Sequence, residues 1–149
     1  MKAEALKIVP ARPEDTDVLA DLERESFSDP WSRESILSSL ASPLSYMRLA
    51  VRDGKVKGYL IASLVLDEGE LLRIAVRPEC RLEGVGRELV KTMLRENPGI
   101  GVWRLDVRES NYAARKLYEE EGFRAVIRRR GYYEKPTEDG IMMMRERRG

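Results

Sequence analysis

The chain predicts an α/β (α+β) domain in which a mixed, mainly antiparallel sheet of about seven strands carries about four helices. Three observations lead there. Apolar residues switch between a period of two and a helical period in the order β-α-α-β-β-β-α-β-α-β-β. Three strand-like runs follow one another in the first half, joined by short turns, as antiparallel neighbours are. The composition, 42% hydrophobic and 36% charged over 149 residues, supplies a packed interior under a heavily charged surface. No repeat or linker divides the chain, so residues 1–149 read as one domain.

Each element has a local cause. "LKIVPAR" is a short first strand, and Pro13 opens a helix, "PEDTDVLADLERESF", with Val18, Leu19 and Leu22 on one side. "SDPWS" is a turn whose Ser32 caps the next helix, "RESILSSLA", with Ile36, Leu37 and Leu40 as its stripe. "SYMRLAVRD" and "KVKGYLIASLVLD" form a hairpin across Asp53-Gly54. "ELLRIAVRP" is a further strand, closed by Pro78. The third helix starts at Val85, repeats through Leu89, Val90, Met93 and Leu94, and stops at Asn97-Pro98-Gly99. "VWRLDVR" alternates on Trp103, Leu105 and Val107. "NYAARKLYEEEG" gathers Ala113, Ala114, Leu117 and Tyr118 and ends at Gly122; "FRAVIRRRGYY" and "GIMMMRER" are the last strands. The two later helices are expected to join strands that are neighbours in the sheet.

Composition also excludes chemistry. The chain has no histidine, so no His-based triad or His metal ligand exists, and a general base has to be a carboxylate, Tyr, Lys or water. One cysteine, Cys80, permits no internal disulfide and no cysteine-rich zinc site; with no histidine to activate it, it reads as small core filler. No metal is expected. Net charge is +1, so bulk electrostatics do not point to nucleic acid, and the run Arg128 to Arg130 reads as a solvated strand face. The first fifteen residues show no apolar signal core and no stretch is long enough for a membrane span, so a cytoplasmic setting without membrane contact is expected.

One turn stands out. In "RLEGVGRELV" a strand leads to Gly84 and Gly86 and then to a helix. Free N–H groups at a helix start favour an anion, and glycine lets it approach the backbone. A P-loop is excluded because no Lys-Ser/Thr follows; a dinucleotide fingerprint is excluded because Leu89 stands where a third small residue is needed. Taken alone, the two glycines fit an ordinary strand-to-helix turn equally well.

The surrounding motifs carry a resemblance. "RLEGVG" is similar to Arg/Gln-x-x-Gly-x-Gly/Ala, the pyrophosphate loop of the GNAT superfamily of N-acetyltransferases, and "RLDVRESNYAARKLYEEEGF" resembles the strand and helix that follow it there. The likeness covers nearly the whole chain. "DPWS", "VLDEGELLRIAV", "LDVRESN" and "RRRGYY…EDGIMMM" look most like the RimI type, the bacterial ribosomal-protein-alanine N-acetyltransferases.

The resemblance implies a single-domain GNAT fold and acetyl-CoA as acyl donor. It assigns the backbone of Ile74, Ala75 and Val76 to the acetyl and pantetheine arm, with the Val76 N–H as oxyanion donor. Arg81, Leu82, Glu83, Gly84, Val85, Gly86 and Arg87 would hold the pyrophosphate, and Asn111 would contact the cofactor while also suiting a helix N-cap. Glu83 is unusual there and has to face solvent or pair with an arginine. Tyr118 would act beside the cofactor sulfur; with a phenol near ~10 and a thiol near ~8.5, full proton transfer is uphill by roughly 2 kcal/mol, so a hydrogen bond to the thiolate is expected. A core tyrosine is the bland alternative.

Asp106 stands where the RimI type has a Glu proposed as base; one methylene shorter, it suits a water relay, or else pairs with Arg104 or Arg108 on its side of the strand. Glu68 is the backup carboxylate. Trp31, Glu68, Tyr132 and Tyr133 resemble positions lining the acceptor groove. The implied acceptor is a protein N-terminus, that of a ribosomal protein. An α-amine near about 8 is roughly a tenth neutral at pH 7, several hundred-fold more available than a lysine, which suits a site without histidine. A lysine or small-amine acetyltransferase, an idle CoA-binding module and an RNA-contacting accessory protein are the rival readings.

Overall fold

The computed structural model describes residues 4–147; residues 1–3 and 148–149, the ends of the 1–149 span, lie outside that description. The elements are β1 (Lys7–Pro10), α1 (Thr16–Ser26), α2 (Arg33–Ala41), β2 (Ser45–Arg52), β3 (Lys55–Val65), β4 (Glu68–Val76), α3 (Val85–Glu96), β5 (Val102–Arg108), α4 (Tyr112–Glu120), β6 (Arg124–Tyr133) and β7 (Glu138–Glu146). They follow the predicted order. Pro13 opens a 3-10 turn before α1, and Ser32 caps α2, its hydroxyl accepting the Ser35 N–H at 3.1 Å. Asp53 and Gly54 both take positive φ, 53° and 73°, as a two-residue hairpin requires. In α4 the inward residues are Ala114, Leu117 and Tyr118, while Ala113 faces solvent.

The strands form one sheet in the order β1-β2-β3-β4-β5-β7-β6. Only β4 and β5 run parallel. The helix α3 joins these neighbours, as predicted. The expectation for α4 is corrected: it links β5 to β6, but β7 lies between them and pairs antiparallel with both. The chain leaves a gap one strand wide when it crosses over α4, and the closing hairpin fills it.

Two apolar clusters cover the two faces. One packs α3 and α4 residues, among them Val85, Leu89, Met93 and Tyr118, against Leu71, Trp103, Leu105 and Val107. The other packs Leu19, Leu22 and Ile36 of α1 and α2 against Met47, Tyr59, Ile61 and Ala75. Cys80 is buried in the first as filler. Gly69 is fixed by this packing: a Cβ there would lie 2.4 Å from the buried Trp103 ring. Gly69→Ala should therefore destabilise the fold by about 1–3 kcal/mol through overpacking, read from urea unfolding. Unchanged stability would mean that the ring can move aside.

Candidate active site

The cleft follows from where two strands part. β4 and β5 pair from Glu68/Val102 to Leu71/Leu105 and no further. A bulge helps: Ile61 of β3 pairs with Arg73 and Ala62 with Leu71, leaving Leu72 as the extra residue on β4. Beyond this point the strands splay, and a cleft of about 710 Å³ opens between Leu71–Ile74 on one side and Leu105–Arg108 on the other.

Backbone polarity in the splay follows from alternation. Arg77 donates its N–H to the Lys57 carbonyl of β3 at 2.8 Å. Successive residues turn their N–H and C=O to opposite edges, so Ile74 and Val76 direct theirs to the open edge while Ala75 faces β3. The strand thus offers unpaired donors and acceptors to an extended ligand.

At its end the chain makes a short turn, Pro78–Cys80, and enters α3 through the glycine motif. Leu82 (φ 69°) and Gly84 (φ 81°) are left-handed. Gly84 is the N-cap and supplies no side-chain acceptor, so the first-turn amides of Val85, Gly86 and Arg87 remain available to an anion. No side chain lies within 4 Å of a Cβ built on Gly84, so the approach is open. The Arg87 guanidinium pairs with Glu120 and Glu121 at 3.1 and 3.2 Å, tying α3 to α4, while the exposed Arg81 follows the short turn. Glu83 pairs with Arg52 at 2.8 Å, one of the two outcomes its position allowed. Glu83→Gln should tighten CoA binding about threefold at low ionic strength, and by less at about 0.5 M salt, because it removes a like charge beside the anion and frees Arg52. Calorimetry at two salt concentrations checks this; weaker binding would mean that the ion pair shapes the loop.

On the α4 side, Asn111 caps the helix, its Oδ1 accepting the Ala114 N–H at 3.2 Å, and it also lines the cleft. Tyr118 lines the cleft from the next turns and is 4% exposed. Its ring packs on Phe123 at 5.9 Å. Burial pushes its hydroxyl well above the usual phenol range, with a smaller push from Tyr133.

The opposite face holds the second half of the cleft. Leu71 and Leu105 point into the α3/α4 core, so Glu70 and Asp106 share the other face. Asp106 lines the cleft, but its partner is Arg129 of β6 at 3.0 Å, not Arg104 or Arg108. Arg104 pairs with Glu68 at 3.2 Å and Arg108 with Glu138 at 3.4 Å. The correction has a topological cause: β7 brings β6 alongside, and Arg129 reaches across it. Arg128 is also engaged, by Glu109 at 2.5 Å, so two of the three consecutive arginines form ion pairs. Tyr132 and Tyr133 line the cleft and meet edge to face at 5.0 Å. Burial first, then the Asp106 charge, raises the Tyr133 hydroxyl to about 12 and moves that of Tyr132 in the same direction.

Two expected groove residues lie elsewhere. Glu68 sits at the start of β4, paired with Arg104 and outside the cleft lining; Glu70, two residues on, lines it instead. Trp31 is held against Arg73 and a shallow depression on α2. Sequence reasoning missed Glu70, Arg73 and Glu23. Glu23 of α1 is fully buried and accepts from two of the Arg73 guanidinium nitrogens (Nη2 at 2.5 Å, Nε at 3.2 Å), the Tyr59 hydroxyl and the Trp31 N–H. The Arg73 guanidinium lies 3.9 Å from the Phe27 ring centroid and 5.5 Å from that of Trp31. This network pins the α1–α2 loop, Phe27 to Ser32, over the cleft. Among the described residues no cluster of His, Cys, Asp and Glu could hold a metal ion, and no helix is long and apolar enough to cross a membrane.

A splayed parallel pair, a helix start with free amides and a buried tyrosine belong to one family of folds: the chain is a member of the acetyltransferase (GNAT) family, whose model matches residues 16–123. Among its relatives is the [ribosomal protein bS18]-alanine N-acetyltransferase of Escherichia coli strain K12, 37% identical over 131 residues that cover 85% of this chain and 86% of the relative. The crystal structure of the ribosomal-protein-S18-alanine N-acetyltransferase from Escherichia coli superposes with a TM-score of 0.90 at 30% identity, covering 97% of each chain. Arabidopsis thaliana NAA60 in complex with acetyl-CoA has the same fold, with a TM-score of 0.88 at 20% identity over 97% of this chain and all of that one.

Proposed function

We propose that the chain, acting as one domain over residues 1–149, transfers acetyl from acetyl-CoA to the N-terminal alanine of a ribosomal protein of the bS18 type. The observation that carries this reading is the cleft itself, which runs along the open edge of β4 to an acidic, tyrosine-lined end beneath the α1–α2 loop, with the glycine turn following beyond the end of that strand. The 37% identity to a bS18-alanine acetyltransferase names the acceptor class. A cytoplasmic setting follows from that acceptor, since ribosomal proteins are made there.

The residues fit the donor. The free amides at the start of α3, Val85 to Arg87, and the Gly84 approach suit a diphosphate. The unpaired edge of Ile74 and Val76 suits an extended amide-bearing arm, and Arg81 with the exposed Leu82 and Glu83 completes the rim of the turn. Acetyl-CoA supplies an activated thioester; everything else falls to the chain. The Val76 N–H faces the open edge, where it would meet charge developing on the acetyl oxygen. Tyr118 would donate its hydrogen to the departing sulfur, and Asn111 would hold the arm from the α4 side. Asp106, Tyr132 and Tyr133 form the wall that receives the acceptor amine, and Trp31 stiffens the loop above it.

The test is a panel of peptides offered with acetyl-CoA and read by mass: an Ala-first ribosomal N-terminus, the same peptide with a blocked N-terminus and an internal lysine, and small amines. Acetylation confined to the free α-amine is the expected result. Faster transfer to the lysine peptide or to a small amine would overturn the acceptor assignment.

A further inference from the structure

The arginines around the acceptor end are each matched to a carboxylate: Arg73 to Glu23, Arg104 to Glu68, Arg108 to Glu138 and Arg129 to Asp106. Glu70 is the carboxylate of β4 left over. It lines the cleft, shares the face of Asp106, and contributes to the field felt by the Tyr132 hydroxyl. Its position is rigid, on a paired segment of β4 opposite Ser63 of β3 and Arg104 of β5, two residues before the Leu72 bulge. The acceptor amine arrives protonated and needs a proton acceptor whose lone pairs are free. Asp106 has spent one oxygen on Arg129 and has the shorter side chain.

We propose that Glu70, rather than Asp106, is the catalytic base that takes the acceptor ammonium's proton, and that Asp106 is a positioning residue that holds Arg129 and the Tyr132 side of the wall. The proposal rests on the acyl-transfer reading of the cleft and deepens it. In the step, an ammonium N–H proton passes to the Glu70 carboxylate, directly or through one water. The freed lone pair forms the C–N bond as the thioester C–S bond breaks. A second proton from nitrogen ends on sulfur as the thiol, and Glu70 returns its proton to solvent. The charged and titratable groups sharing its face or the cleft are Glu68 and Arg73 on its strand, Arg104, Asp106 and Arg108 on β5, Tyr118 on α4, Arg129, Tyr132 and Tyr133 on β6, Glu134 and Lys135 just after it, and Asp29 on the α1–α2 loop.

The experiment compares pH profiles of kcat/KM for wild type, Glu70→Gln and Asp106→Asn, on whichever amine in the panel the wild type acetylates. A preference for lysine or small amines therefore sinks the acceptor assignment while leaving this comparison intact. A base in the protein lets the enzyme use ammonium; without it only neutral amine reacts, and that fraction falls tenfold per pH unit below about 8 for an α-amine. For an α-amine, Glu70→Gln should match wild type within about threefold near pH 9 and fall about 100-fold behind near pH 6; for any amine its low-pH slope should be steeper than wild type's. CoA affinity and melting temperature should be unchanged, since the side chain is exposed and unpaired. Asp106→Asn should lower activity evenly across pH. Parallel profiles for Glu70→Gln and wild type would overturn the proposal. So would a steep low-pH loss in Asp106→Asn instead, or a Glu70→Gln defect seen only as a raised KM at every pH.

Discussion

Replacing Tyr118 with Phe should lower kcat about 100-fold while leaving CoA affinity within about twofold, the loss typical of one positioned donor. The separation is expected because the ring, not the hydroxyl, makes the contact with Phe123 and the core. The sign of the pH effect follows from burial. A phenol raised above its ordinary value keeps its proton through the neutral and mildly alkaline range, so Tyr118 is a donor at every working pH and contributes no alkaline limb below about pH 10. Steady-state kinetics over that range, paired with calorimetry for CoA, reads both quantities. An unchanged kcat would reduce Tyr118 to core packing, and a parallel loss of CoA affinity would do the same.

Glu23→Ala should be strongly destabilising. It leaves the Arg73 guanidinium, the Tyr59 hydroxyl and the Trp31 N–H without their shared acceptor in a buried setting. Breaking one side of a buried ion pair costs about 3–5 kcal/mol. At about 2–4 °C per kcal/mol for a chain of this size, melting should fall by roughly 10 °C. Glu23→Gln keeps an oxygen for one donor and should lose less. A second consequence separates this network from ordinary core packing: because it pins the α1–α2 loop over the cleft, the folded Gln variant should raise the acceptor KM more than the acetyl-CoA KM. Urea unfolding and two-substrate kinetics check both; a stability loss below about 1 kcal/mol for Glu23→Ala would show that Arg73 and Tyr59 find other partners.

Local physics made much of this legible in advance. The Asp53-Gly54 hairpin, the Ser32 cap, the apolar stripe of α3 and the period of β5 are short-range effects, and each appears where its residues require it. The glycine turn was readable only through the motif around it, because glycine permits many backbone paths and two of them alone do not distinguish an anion site from an ordinary turn. What remained hidden depends on distant pairing. Whether Glu68 or Glu70 faces the cleft is set by how far β4 stays paired with β5 and by the bulge at Leu72, neither of which has a local marker. Alternation narrows the choice without deciding it: in "EGELL" the apolar Leu71 has to point into the core, which turns both Glu68 and Glu70 to the other face. The Arg129–Asp106 pair was out of reach because it spans an intervening strand that arrives last in the sequence. Trp31 was read as part of the groove because an arginine on β4 that would hold it could not be foreseen from "DPWS".

The placement of β7 bears on how the molecule is made. β7, the last of these strands in chain order, fills an interior slot, completing the ladders of β5 and β6 at once. Until it emerges, β5 presents an open edge and Asp106 has no Arg129 held beside it. The cleft wall formed by β4 and α3 can therefore fold on the nascent chain, whereas the wall that carries Asp106 and Arg129 assembles only once β7 has been made.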